Sequence, residues 1–258
     1  MAIDFKVSDE GIALITINRP ERLNAMDAEH YQALSQAWQQ VRDDAAIRVA
    51  IVTGAGEKSF TTGADIKSFL TAPAELSEMW LTQRDQLLNR GLEVWKPVIA
   101  AVNGYCLGGG MTLLLATDIR IAASHATFSV AEVKRGVIPG NGGTQRVLDQ
   151  LPYAVAMEML LTGDGIDAVA AERWGLVNKV VPKEELLATA YSYARRIAAN
   201  APLAVQAAKE LAVRSRDMDL ATGLRMEVVI NRMLSMTEDA KEGPAAFAAK
   251  RKPDFKGA

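Results

Sequence analysis

The feature that most restricts the fold is an alternation of short strand-like stretches with helix-like ones. Four stretches are rich in β-branched or small apolar residues and end at Gly, Pro, Asn or Ser, as strands do. They are ALITINRP (13–20), VAIVTG (49–54), VIAAVNG (98–104) and IRIAAS (119–124). Strands that alternate with helices indicate an α/β core whose strands are largely parallel.

Two helices are expected between these strands. Asp27 is a good N-cap for a helix that runs through Asp44. Its apolar residues recur at helical spacing and define one buried face: Leu34, Ala37, Trp38 and Val41. A second helix is expected over residues 75–95.

The pattern changes after Pro152 to mainly helical segments. GLVNKVVP (175–182) predicts one short strand among them, and Pro202 suits the first turn of a further helix. We therefore expect a core over residues 1–195 and a helical region over 196–258. Three interpretations of this helical part of the chain stay open: an oligomerisation region, a lid, or packing on the core of the same chain.

The composition excludes several classes of protein. The 258 residues carry a formal net charge of −2, which gives no basic surface for nucleic acid or anionic lipid. The start, MAIDFKVSDEG, lacks the apolar segment of a secretory signal, and no apolar run approaches the roughly 20 residues that span a bilayer. One cysteine, Cys106, excludes an internal disulfide and suits a reducing compartment. We predict a cytoplasmic protein.

The sequence offers little support for histidine or cysteine chemistry. It contains two histidines, His30 and His125, too few for most triads and zinc sites. We interpret His125 as a turn residue and Cys106 as a small packing residue.

Two glycine-containing turns and one carboxylate remain as candidate chemistry. Glycines 108–110 precede a helix-like stretch, although glycine is a poor helix former, so close approach to the backbone is expected there. FTTGADIKSF places Gly63 and Ala64 in a turn after the second strand, and GYCLGGG places Gly109 in a turn after the third. If these turns share one edge of the sheet, their N–H groups can converge on one oxygen and stabilise negative charge. Each turn can equally be a tight structural connection.

Five segments in this order resemble the crotonase, or enoyl-CoA hydratase/isomerase, family. They are SFTTGADIKSF, KPVIAAVNGYCLGGG, ATFSVAEVKRGVIPGNGGTQRV, MLLTGDGIDAVAAERWGLVNKVV and EGPAAFAAKRKPDFKG. The resemblance implies a spiral of β-β-α turns assembled as trimers or hexamers. It implies that the amides of Ala64 and Gly109 bind the thioester oxygen of an acyl-CoA. It implies no metal or redox cofactor, since coenzyme A enters as part of the substrate.

The resemblance also implies residues for binding coenzyme A. The stretch RPERLNAM makes Arg22 a candidate, beside Ala64, Asp65 and Ile66. Lys250, in the C-terminal KRK, is a candidate for a CoA phosphate, on the same or a neighbouring subunit. A solvated basic tail is the alternative for Lys250.

The carboxylates depart from the two-glutamate hydratases that this chain resembles. The first glutamate position holds Thr112, whereas the second is retained as Glu132. Glu132 is the candidate general acid/base, and the Thr112 hydroxyl can hold water. Hydration of a 2-enoyl-CoA is the favoured activity, with Δ3/Δ2 isomerisation and non-catalytic acyl-CoA binding as alternatives. Gly140 replaces the aspartate of the dienoyl-CoA isomerases, so that activity is disfavoured.

Overall fold

Two β-sheets organise the chain, and the computed structural model describes them within residues 2–69 and 86–258. The strands are β1 Ile3–Val7, β2 Ile12–Ile17, β3 Val49–Gly54, β4 Ser59–Thr61, β5 Val98–Val102, β6 Tyr105–Leu107, β7 Ile119–Ala123, β8 Thr127–Ser129, β9 Ile166–Asp167 and β10 Lys179–Val181. One sheet has the order β1-β2-β3-β5-β7-β10, and the other has the order β4-β6-β8-β9. The predicted short strand at GLVNKVVP is confirmed as β10.

Successive chain segments each add one strand to both sheets. Three pairs of strands follow one another along the chain: β3 and β4, β5 and β6, and β7 and β8. The first members, β3, β5 and β7, are neighbours in the large sheet, and the second members, β4, β6 and β8, are neighbours in the small sheet. Neighbouring strands are parallel except for β1 with β2 and β8 with β9. The expected α/β spiral of β-β-α turns is therefore confirmed.

The helices of the described residues complete these units and cover the sheets. They are α1 Ala28–Asp43, α2 Ile66–Phe69, α3 Gly109–Leu114, α4 Gly143–Gln150, α5 Tyr153–Thr162, α6 Ala168–Arg173, α7 Leu186–Ala198, α8 Pro202–Arg214, α9 Leu220–Leu234 and α10 Glu238–Ala248. Short 3-10 helices span Pro20–Arg22, Ala131–Arg135, Lys183–Glu185 and Ser215–Asp217. Pro202 begins α8, as predicted.

The six-stranded sheet is buried on both faces because its side chains alternate between two helical layers. Ala50 and Val52 of β3 belong to the same apolar cluster as Trp38 of α1. Ile51 of the same strand lies in the cluster that contains Ala190 of α7. This is the burial expected of a mainly parallel sheet and explains the continuous apolar character of β3 and β5.

The first helix agrees with its sequence pattern, whereas the second does not. The Asp27 side chain accepts a hydrogen bond from the His30 N–H and caps α1, whose four predicted apolar residues are all buried. Of the helix expected over 75–95, residues 75–85 lie outside the described residues. Residues 86–95 form a turn with isolated bridges from Leu87 to Arg90 and Gly91. Gly91 has a φ of 79°, which does not fit a right-handed helix.

The side chain of Asn103 directs the chain from the large sheet to the small one. Its amide donates to the carbonyl oxygens of Gly54 and Gly56, and its Oδ1 accepts from the Gly54 N–H at 3.1 Å. These bonds join the connections that follow β3 and β5. The chain therefore enters β4 and β6 as neighbours, with their C-terminal ends side by side.

Within residues 2–69 and 86–258, no helix combines the length and the apolar character that crossing a membrane requires.

Candidate active site

Each of the three consecutive glycines at the start of α3 meets a different structural requirement. Gly108 has a φ of 54°, in the left-handed region that favours glycine. A Cβ atom at Gly110 would overlap the carbonyl oxygen of Thr61, so the helix packs directly against the backbone of β4. Gly109 is the first helical residue, where an N–H has no partner within the helix.

The two glycine turns meet. A Cβ atom at Gly63 would overlap the Gly109 nitrogen, and one at Gly109 would lie 3.1 Å from the Gly63 Cα and 3.5 Å from the Ala64 nitrogen. Neither the Ala64 nor the Gly109 N–H donates to an acceptor in the described part of the chain. The structure thus places two available amide donors beside each other.

These two turns do not directly follow the strands that the sequence pattern predicts. They were expected to follow the strands at 49–54 and 98–104, which correspond to β3 and β5 of the large sheet. They follow β4 and β6 of the small sheet instead. The reason is that each connection after the large sheet forms one more short strand before it turns.

The Gly63–Ala64 turn is held in place by the loop that precedes α1. The Met26 N–H donates to the Gly63 carbonyl, and the Asp65 N–H donates back to the Met26 carbonyl, both at 2.8 Å. The Arg19 guanidinium, which lies 3.3 Å from Asp27 Oδ2, donates to Asp65 Oδ2 at 3.0 Å. Because Asp27 also caps α1, the turn and this helix share one charged anchor.

Asn24, which the sequence analysis did not single out, ties this loop to β4. It is fully buried, and its amide donates to the carbonyl oxygens of Ser59 and Ala55 at 2.7 and 2.9 Å. The Thr61 hydroxyl donates to the Asn24 carbonyl at 2.6 Å. The sequence signal is the asparagine in RPERLNAM, because asparagine tolerates a left-handed backbone better than most residues. Asn24 has a left-handed φ of 55°.

Glu132 faces the glycine turn. It lies in the 3-10 helix Ala131–Arg135, with its Oε1 3.4 Å from the Cβ position of Gly108. Its Oε2 is buried and has no hydrogen-bond partner among the described residues. Burial raises the pKa of Glu132 above its ordinary value, against a smaller opposing effect of the nearby Arg135 cation. A carboxylate with a raised pKa is suited to exchanging protons near neutral pH.

Thr112 is buried beside the same turn and is already hydrogen-bonded. It is 2% exposed, and its hydroxyl donates to the Gly109 carbonyl at 3.0 Å. The same oxygen accepts a hydrogen bond from Asn89 Nδ2, also at 3.0 Å. Asn89 is not predicted as a site residue because the sequence pattern favours a helix over this segment.

Tyr31 of α1 adds a neutral phenol that the sequence analysis also missed. Its hydroxyl lies 3.4 Å from the Cβ position of Gly109. Burial raises the pKa of Tyr31 to about 12, and the Arg90 cation opposes the increase. The phenol is therefore protonated at neutral pH beside the two amides.

The candidate CoA-binding residues fall in two places. Arg22 and Ile66 are exposed near the Gly63–Ala64 turn, which contains Ala64 and continues into Asp65. Lys250 is exposed after α10. The tail beyond Lys250 runs to the N-terminal end of β3, where the Phe255 carbonyl accepts a hydrogen bond from the guanidinium of Arg48.

His125 lies in a turn and Cys106 packs in the core, as the sequence predicts. His125 is exposed in the turn before β8, with Nε2 3.1 Å from the Glu57 carbonyl oxygen. Cys106 is fully buried, and burial raises the pKa of its thiol far above the ordinary value. No group of three or more His, Cys, Asp or Glu side chains that could hold a metal ion occurs in the described part of the chain.

Comparison with known proteins agrees with this fold of two sheets and surrounding helices. The profile of the Enoyl-CoA hydratase/isomerase family matches residues 8–258. The structure is similar to the crystal structure of enoyl-CoA hydratase from Mycobacterium tuberculosis, with a TM-score of 0.92 and 38% sequence identity. The match covers 100% of this chain and 99% of that one. The chain therefore belongs to the enoyl-CoA hydratase/isomerase family and is an enzyme.

Two curated relatives are similar over almost the whole chain. One is the (E)-benzylidenesuccinyl-CoA hydratase of Thauera aromatica, 45% identical over 258 residues, with 100% of both chains covered. Another is the carnitinyl-CoA dehydratase of Salmonella arizonae, 43% identical over 247 residues, with 94% of both covered. Both names describe addition or removal of water.

The gap between the two amides predicts the effect of one added methyl group. Gly109→Ala puts a Cβ 3.5 Å from the Ala64 nitrogen and 3.4 Å from the Tyr31 hydroxyl. We expect kcat/KM on crotonyl-CoA to fall by about 10²–10³-fold, the usual cost of disabling one such donor. The control is Gly243→Ala in α10, where the added Cβ meets Phe255 at an ordinary 3.7 Å. Equal activity of the two folded variants would contradict the role of the gap.

Proposed function

We propose that this enzyme adds water to the C2–C3 double bond of a 2-enoyl-CoA through an enolate. The observation that carries the proposal is the position of Glu132: one of its carboxylate oxygens is buried without a hydrogen-bond partner among the described residues, and the other faces the glycine turn that carries the Gly109 amide. The relatives named as a hydratase and a dehydratase support the reaction class.

The proposed steps follow from these groups. The Ala64 and Gly109 amides donate to the thioester oxygen and stabilise the negative charge that develops on it. Water attacks C3 while the Glu132 carboxylate accepts one of its protons, and the C2–C3 electron pair moves into the enolate. Glu132 then delivers that proton to C2, the carbonyl re-forms, and the product is the 3-hydroxyacyl-CoA.

One observation favours isomerisation as a second candidate activity. Thr112 stands where the two-glutamate hydratases have a carboxylate. Of the two glutamate positions, only Glu132 therefore presents a carboxylate to the turn. A single carboxylate can take a proton from C4 and return it to C2, which moves a Δ3 double bond to Δ2. The same amides would stabilise the dienolate.

The Glu132→Gln variant tests the proposed acid/base role. It keeps the side-chain size but cannot exchange a proton, so substrate affinity should persist while hydration falls by about 10²–10⁴-fold. Exchange of C2 protons of bound acyl-CoA into deuterated water should be lost in parallel, as measured by mass spectrometry.

Thr112→Ala is the matched variant for Glu132→Gln. We expect slower hydration of crotonyl-CoA and unchanged isomerisation of a 3-enoyl-CoA, because the proton shuttle stays intact. High activity of Glu132→Gln at unchanged affinity would disprove the assignment of Glu132. A wild-type enzyme that binds acyl-CoA but neither hydrates nor isomerises it would support the non-catalytic alternative.

The raised pKa of Glu132 predicts how activity depends on pH. The base must be ionised, so kcat/KM should fall as the pH drops through the pKa of Glu132, which burial raises. Arg135 opposes this rise, so Arg135→Ala should raise the pKa further and move the acidic limb to higher pH. Lys134→Ala is the control, since Lys134 is paired with Asp164 at 2.5 Å. Identical profiles of both variants would refute the coupling.

We also propose that coenzyme A lies along the exposed side of the Gly63–Ala64 turn. Arg22, Asp65 and Ile66 would contact it from the same subunit, and Lys250 would reach a phosphate from a neighbouring one. The support is the exposure of Arg22, Ile66 and Lys250. Cytoplasmic localisation stays a prediction of the sequence.

Residues 196–258 are proposed as the assembly region of a trimer or hexamer, separate from the core over 1–195. The support is a set of exposed apolar side chains on and after α9 and on α10: Leu220, Leu224, Val228, Val229, Met233, Met236 and Phe247. Leu220 is 77% exposed and Phe247 is 87% exposed, so much apolar area stays in water in a single chain.

Light scattering after size exclusion tests the assembly. We expect three or six times the chain mass of 27.8 kDa. The double variant Leu220→Glu, Leu224→Glu should lower this mass, because it places charges in an apolar contact. Leu187→Glu, at an exposed position of α7, is the control and should not. A wild-type monomer at micromolar concentration would exclude the proposal.

A further inference from the structure

The side chain of Asn89 presents a buried oxygen that the protein leaves without a partner. Asn89 is 7% exposed, and its Nδ2 donates to the Thr112 hydroxyl at 3.0 Å. Its Oδ1 is buried and accepts no hydrogen bond from the described residues. Buried polar atoms are normally paired, so an orphan of this kind calls for a partner such as water or substrate.

The orientation of this amide is fixed by Thr112. The Thr112 hydroxyl uses its proton on the Gly109 carbonyl, so toward Asn89 it is an acceptor. The NH₂ group of Asn89 must therefore point at Thr112, and Oδ1 must point elsewhere. Thr112 thus fixes the orientation of the Asn89 amide and leaves Oδ1 as the end that can accept another hydrogen bond.

The backbone around Asn89 is held by contacts of its own. The Arg90 N–H donates to the Leu87 carbonyl at 2.8 Å and closes the turn. The Ser35 hydroxyl of α1 donates to the Gln86 carbonyl at 2.8 Å. The amide is consequently presented from a defined turn, although no regular helix or strand carries it.

Asn89 and Glu132 each lie near one of two consecutive glycines in the same turn. Asn89 reaches the Gly109 carbonyl through Thr112, and Glu132 Oε1 lies 3.4 Å from the Cβ position of Gly108. Asn89 Oδ1 and Glu132 Oε2 are both buried and unpaired. Two orphaned acceptors beside one turn match the two hydrogens that a water molecule can donate.

We infer that Asn89 Oδ1 and the Glu132 carboxylate together hold the water that attacks C3. This rests on the proposed hydration. One hydrogen of the water is donated to Asn89 and stays on the oxygen that becomes the product hydroxyl. The other is transferred to Glu132 as the C3–O bond forms, and it leaves Glu132 for C2. Asn89 exchanges no proton, so it orients the water without acting as a base.

The assignment gives Thr112 a specific part in the water site. Its hydroxyl already has a donor and an acceptor partner, and it acts on water through the amide that it orients. A neutral amide at this point also leaves Glu132 without a second carboxylate beside it. The chain therefore replaces a charged water-binding group with a polar pair, Asn89 and Thr112.

The experiment compares hydration with enolisation in the same protein. Hydration of crotonyl-CoA needs positioned water, whereas exchange of the C2 protons of butyryl-CoA into deuterated water needs only Glu132 and the amides. We expect Asn89→Leu to lower kcat for hydration by about 10²-fold, the scale of a misplaced reactant. Its KM and its C2 exchange rate should stay within about twofold of the wild type. Asn89→Asp keeps an acceptor oxygen and should hydrate faster than Asn89→Leu.

Ser35→Ala is the matched control, because it removes a bond that supports the same turn and leaves the Asn89 amide in place. It should not change the ratio of hydration to exchange. Parallel loss of both rates in Asn89→Leu, or unchanged hydration, would overturn the inference. If Asn89→Leu does not fold, either of these two outcomes in the smaller variant Asn89→Ala, which also removes the amide oxygen, would overturn it. A wild-type enzyme that exchanges C2 protons but hydrates no 2-enoyl-CoA would instead overturn the proposed function.

Discussion

The contact between the backbones of Gly63 and Gly109 is the constraint on which the site depends. A Cβ atom at Gly63 would overlap the Gly109 nitrogen, so the two turns approach as closely as bare peptide groups can. Such a contact needs both turns to arrive with a precise register. That register comes from the parallel pairing of β4 and β6, whose C-terminal ends lie side by side.

Buried asparagines carry much of the alignment. Asn103 fixes where the chain leaves the large sheet, and Asn24 joins the loop before α1 to β4. An asparagine side chain offers a donor and an acceptor at once, so it can bind two backbone segments where no strand pairing is available. In our proposal Asn89 uses the same property differently: one end is fixed by Thr112 and the other serves the reaction.

Local patterns predicted the elements, and contacts between distant segments decided the rest. The apolar spacing around Leu34 and Trp38 is enough to define the buried face of α1, because helical periodicity is local. Asn24 and Ser59 are 35 residues apart, and Asn89 and Thr112 are 23 apart, so nothing near either asparagine reveals its partner. The glycines could be recognised since their steric freedom is intrinsic. The extra strand before each turn could not, because three residues are too few for a periodic signal.

The paired donors at Ala64 and Gly109 belong to the main chain, so substitutions of side chains affect them differently from the other groups of the site. No side-chain replacement deletes a peptide N–H except one to proline, so the group that binds the thioester in our proposal is carried by the fold itself. The groups that we propose to move protons and water are ordinary side chains on neighbouring segments. Under this proposal, such a scaffold can change its reaction by exchanging one or two side chains, while the main-chain amides that bind the carbonyl stay the same.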